Sequence, residues 1–73
     1  MLYLNNTGIS DLKPLEGLIN LHVLNLRNTK IKSLEPLQKL KNLEVLDIEG
    51  CKNIPTEQID ALKKILPDLA VSK

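Results

Sequence analysis

Apolar residues fall on the same steps of this chain again and again. Leu2, Leu4, Ile9, Leu12, Leu15 and Leu18 return 22 residues later as Leu24, Leu26, Ile31, Leu34, Leu37 and Leu40, and Thr7 and Pro14 return as Thr29 and Pro36. A further step of 22 carries Leu21, Leu24, Leu26 and Thr29 onto Leu43, Leu46, Ile48 and Cys51, after which the register slips. A period in the twenties with Leu-x-x-Leu-x-Leu spacing predicts a solenoid, because no single unit can bury its apolar face alone and stacked units bury a continuous one. The repeats fall at about residues 1–20, 21–42 and 43–68 of a single domain, 1–73.

Within each unit the pattern predicts a strand followed by a return segment. Leu2 and Leu4, Leu24 and Leu26, and Leu46 and Ile48 each alternate with polar or exposed neighbours, the period of two of a half-buried strand. Three parallel strands follow, one per unit. Thr7, Thr29 and Cys51 then share the position just past each strand, where a side chain can bond loop backbone. The return segments carry an apolar residue at every third position and Pro14 or Pro36 in the middle, which predicts short 3₁₀ turns rather than α-helices. Asn20 and Asn42, just before the strands of units two and three, are the residues expected to take left-handed backbone.

The third unit ends differently. Pro55-Thr56 with Glu57 and Asp60 reads as a helix start, Ile59, Leu62, Ile65 and Leu66 form one apolar face, and Pro67 stops it. One α-helix is therefore predicted over about 56–66, closing an α/β solenoid. Asp68-Leu69 opens a last strand that looks like a stub, since Ser72 stands where the spacing asks for Leu.

Composition narrows the function. The 73 residues carry ten Lys and Arg against nine Asp and Glu, a net charge of +1, so no global field draws the chain to nucleic acid or an anionic membrane. Lys30, Lys32 and Lys52 follow the strands without aromatic residues among them and read as a solvated rim. No apolar run reaches the roughly 18 residues of a membrane span. His22 and Cys51 are the only residues of their types, which leaves no companions for a metal site or a nucleophile and no partner for a disulfide within the chain. The reading is a non-catalytic chain without cofactor or metal.

The stretches LHVLNLRNTKIKSLEPLQKLKN and LYLNNTGISDLKPLEGLIN resemble the 22-residue leucine-rich repeat found in bacterial internalins and in a nuclear regulatory subunit of protein phosphatase one. The tail NIPTEQIDALKKILPDLAV resembles the closing unit of bacterial members, which implies a native C-terminus. Such domains usually begin with a helical or disulfide-bonded cap, whereas this chain starts inside a strand. The expectation is a domain cropped at its N-terminus or a first repeat covered by something else. Bacterial surface and cytoplasmic settings both fit.

The resemblance implies a curved solenoid that binds a protein or peptide on its concave sheet face. By strand alternation the binding residues would be Tyr3, Asn25 and Asp47 in one row, Asn5, Arg27 and Glu49 in the next, and Val23 and Val45 in a third, with His22 and Glu44 at the strand entrances. Arg27 is expected beside Glu49, and His22 beside Glu44. Asp47 and Glu49, about 6.6 Å apart along the strand, suggest an acid and base pair only superficially, because an open sheet face has no pocket to raise one carboxylate. A solvated acidic patch partly neutralised by Arg27 is the better reading, with a binding patch for a basic partner as the alternative. Two alternatives stand beside it. The chain could be an accessory or targeting terminal domain of a larger enzyme or surface protein. It could also self-associate as a homodimer through the N-terminal strand, whose flank would expose Leu2, Leu4, Leu12 and Leu15.

Overall fold

The computed structural model describes residues 1–73. Four short parallel strands form one sheet in sequential order: β1 (Leu2–Tyr3), β2 (Val23–Asn25), β3 (Val45–Asp47) and β4 (Ala70–Ser72). Leu2 pairs with Leu24 and Leu24 with Leu46, so the 22-residue period of the sequence is the register of the sheet. The connections are 3₁₀ turns over Lys13–Leu15 and Glu35–Lys39, each with proline in its first two positions, and one α-helix, α1, over Thr56–Ile65. Proline suits these starts because its fixed φ fits the first turn and its missing N–H would be unbonded there anyway.

The core is a stack of leucines between the sheet and the turns. Leu24, Leu26, Ile31, Leu37, Leu40 and Leu46 are each 0% exposed. Unit two is the best buried because it has a neighbour on both sides, as a solenoid requires. Past the strands the backbone ladder continues, with Asn6 N–H donating to the Arg27 carbonyl at 2.8 Å and Asn28 N–H to that of Glu49 at 3.0 Å.

Five details depart from the sequence expectation. The closing strand is not a stub: β4 pairs fully with β3, and Val71 rather than Ser72 stands opposite Leu46. One fewer residue separates the buried Leu69 from its strand than separates Leu43 from β3, so the spacing rule overshoots by one. The left-handed residues are Asn6 (φ 61°), Asn28 (φ 57°) and Gly50 (φ 79°), not Asn20 and Asn42. The sharp bend thus follows the strand instead of preceding it, and Asn42 uses its side chain, donating Nδ2–H to the Ile19 carbonyl at 3.1 Å. Helix α1 has Pro55 as its N-cap with no side-chain bond, and Glu57 is the sole acid of its first turn. Ile65 is 48% exposed, so the buried face of the helix is Ile59 and Leu62, with Leu66 just beyond it.

The fifth difference concerns the N-terminal flank. Leu12 is 1% exposed, because it tucks under the first 3₁₀ turn toward unit two, while Leu2, Leu4 and Leu15 are half-buried. The apolar surface at that end is instead Met1, Leu18 and Ile19, exposed by 79%, 44% and 58%.

Candidate functional site

The open face of the sheet is built by the alternation of each strand. Leu24 and Leu46 turn inward, so Val23 and Asn25, and Val45 and Asp47, turn outward. Register then sets the rows: Tyr3, Asn25, Asp47 and Ser72 form one, and Val23, Val45 and Ala70 the next. Asn5, Arg27 and Glu49 form a third beyond the strand ends, held in step by the continuing ladder. Ala70 and Ser72 were missing from the sequence reading because the final unit was aligned one residue too far. The apolar Val71 between two small polar-tolerant neighbours was the available signal.

Arg27 joins Asp47 at the end of β3 to Glu49 just beyond it. Its Nε–H donates to Asp47 Oδ2 at 2.6 Å and its terminal amine to Glu49 Oε2. Sequence spacing anticipated the Glu49 contact, whereas the reach across the row to Asp47 is a finding of the structure. The hydrogen bond it donates to Asp47 and the negative charges of Asp47 and Glu49 hold the guanidinium pKa above its ordinary value. Asp47 is also positioned from behind, since its Oδ1 accepts the Glu49 backbone N–H at 3.2 Å. Asn25 does the same one repeat earlier, with Oδ1 accepting the Arg27 N–H at 3.0 Å. Each of these side chains closes a small turn at the strand end, which fixes the direction of the next charged residue.

The remaining predicted residues surround this cluster without bonding to it. Val45 is 38% exposed beside the half-buried Val23. Tyr3 is 61% exposed and its hydroxyl donates to the Met1 Sδ at 3.0 Å, and Asn5 is exposed with no side-chain hydrogen bond to the chain. At the strand entrances the His22 carbonyl accepts N–H bonds from Glu44 at 2.7 Å and Val45 at 3.0 Å, so these two residues are neighbours through the backbone. Their side chains form no ion pair; the two salt bridges of the chain both belong to Arg27. Lys30, Lys32 and Lys52 are exposed along the loops.

The Asp47 side chain is 19% exposed and already paired, and Glu49 lies in the open at 49%. No group of three or more His, Cys, Asp or Glu comes together to hold a metal ion, and no helix is long and apolar enough to cross a membrane.

Of the three residues that share the position just past the strands, two behave as expected and one does not. Thr7 and Thr29 donate their hydroxyls to the carbonyls of Leu4 and Leu26, at 2.7 and 2.9 Å, as their shared position predicts. Cys51 departs from them: its thiol reaches back a whole repeat to the Leu26 carbonyl at 2.9 Å and lies 3.3 Å from the Thr29 hydroxyl.

The same periodicity is found by comparison with known families. No curated protein matches the chain significantly. A family model described as leucine-rich repeats in two copies matches residues 1–38 and again 19–64. Such repeats generally mediate protein–protein interaction, and the family is typically non-catalytic. The match spans most of the chain and agrees with the parallel sheet, 3₁₀ turns and closing helix, so this protein belongs to the leucine-rich-repeat family.

Proposed function

We propose that the chain is an interaction module without chemistry of its own, and that its partner is a protein or peptide laid across the concave sheet face. The observation that carries this reading is the cluster of Arg27, Asp47 and Glu49 beside the exposed row of Val23 and Val45. Charged side chains already fixed in direction lose little freedom on binding, and adjacent apolar surface supplies the area that is removed from water. Tyr3, Asn5 and Asn25 complete the surface, with Tyr3 as its aromatic anchor. Such charges govern encounter rate and choice of partner more than overall affinity.

A displayed peptide library panned against the chain tests this. Peptides selected by the native protein should lose binding to Arg27→Glu and to Tyr3→Ala, while both variants keep the native circular dichroism and melting temperature. Peptides that bind the variants as well as the native chain would place recognition elsewhere.

A further inference from the structure

Strands β2 and β3 are the interior strands of the sheet, each paired on both sides. Their open faces carry three pairs of side chains in register: Val23 beside Val45, Asn25 beside Asp47, and Arg27 beside Glu49. Polarity therefore changes along the seam between them, from apolar where the strands begin to charged just past their ends. Outward residues two apart are about 6.6 Å from each other, so the valine pair and the Arg27 and Glu49 pair stand about 13 Å apart.

The charged end has one acid in excess. Arg27 is a single cation against two carboxylates, and none of the nine lysines lies on these rows. The sum there is −1, in a chain whose net charge is +1. The two acids differ in what they leave open. Both oxygens of Asp47 are engaged, Oδ2 by Arg27 and Oδ1 by the Glu49 N–H. Glu49 accepts from Arg27 through Oε2, and its Oε1 carries no hydrogen bond within the chain.

We infer, on the interaction-module reading above, that the partner is an extended peptide segment with an apolar residue and a Lys or Arg four positions apart, seated along the seam between β2 and β3. Alternate side chains of an extended peptide point the same way at the same spacing as those of the strands. Residue i then covers Val23 and Val45, while residue i+4 brings its cation to Glu49 Oε1. Residue i+2 meets Asn25 and Asp47 and has to be small or polar. The partner's positive charge balances the excess carboxylate, which an acidic rival would meet with repulsion. Arg27 supplies direction rather than attraction, since its bond pins Glu49 at the end of the seam.

Three pools of short displayed peptides test this, each with two fixed residues in either order and random uncharged residues elsewhere. One pool fixes Val and Lys four apart, one Val and Lys two apart, and one Val and Glu four apart. Panned together against the native chain, the first pool should supply most binders. Their affinity should fall about two- to fivefold on Glu49→Gln, the range of one exposed ion pair. It should fall on Val45→Asn as well, with circular dichroism unchanged for both variants. Against Glu49→Lys the Glu pool should prevail. Binders that weaken on Val45→Asn yet come equally from all pools, or that ignore Glu49→Gln, overturn the inference and leave recognition on the concave face standing. Binders indifferent to both substitutions, or none from any pool, overturn the two together.

Discussion

Asn28 donates its Nδ2–H to the Oδ1 of Asn6 over 2.9 Å, joining two residues that stand one repeat apart and share the left-handed backbone at φ 57° and 61°. The bend after the first strand is thus stitched to the bend after the second. At the third bend the residue is Gly50, at φ 79°, and a Cβ there would lie 2.0 Å from Asn28 Oδ1. The amide ladder ends because the side chain of Asn28 occupies the space.

Gly50→Ala should therefore destabilise the fold by about 2–3 kcal/mol, combining left-handed strain with displacement of Asn28. Gly8→Ala, with open space around the added methyl group and no positive φ, should be within about 0.5 kcal/mol of native. Urea titration of the two variants checks the contrast.

Leu18 and Leu40 occupy one position of the repeat, yet are 44% and 0% exposed. Leu40→Ala should cost about 2–5 kcal/mol, enough to unfold much of a domain this small at ambient temperature. Leu18→Ala should cost less than about 1 kcal/mol. Urea titration of both variants checks the contrast, and equal effects would show that the two positions are equally covered.

Helix α1 is tied to the second unit by one amide. Gln58 Oε1 accepts the Leu34 N–H at 3.1 Å and the Ser33 hydroxyl at 3.4 Å, at the entry to the second 3₁₀ turn. Gln58→Ala leaves the Leu34 N–H without its partner and should destabilise by about 1–2 kcal/mol. Faster exchange of the Leu34 amide would be its local signature.

The charged cluster should respond to salt and hardly to alkali. The Arg27 pKa is raised in the folded chain, so whatever stability its ion pairs contribute is fully present below the unfolded value and is lost only as pH rises through the higher folded one. Stability attributable to Arg27 should be constant through the neutral and mildly alkaline range. Because the side chain is open to solvent, Arg27→Gln should leave the melting temperature close to native at moderate salt. Melting curves of both proteins across pH and salt test this, and a gap that opens between pH 7 and 10 would contradict it.

Much of this architecture was legible in the sequence. The parallel register, the inward leucines and the outward rows follow from a period of 22 combined with the alternation of strands, and Pro14 and Pro36 dictate 3₁₀ turns. The neighbourhood of Arg27 and Glu49 follows too, since residues one period apart are adjacent.

Tertiary structure alone decided the exceptions, and each has a physical reason. Asn6, Asn28 and Gly50 share the period as plainly as the leucines, but Asn tolerates left-handed backbone wherever it stands, so residue type could not choose between these bends and Asn20 or Asn42. The fourth strand depended on how many residues helix α1 leaves for the return, which a repeat of different length does not reveal. Arg27 reaches Asp47 as well as Glu49 because a long side chain spans two positions of a neighbouring strand, a distance that belongs to the sheet rather than the chain. The burial of Leu40 and the exposure of Leu18 share one sequence position and differ only in whether a neighbouring unit lies over them.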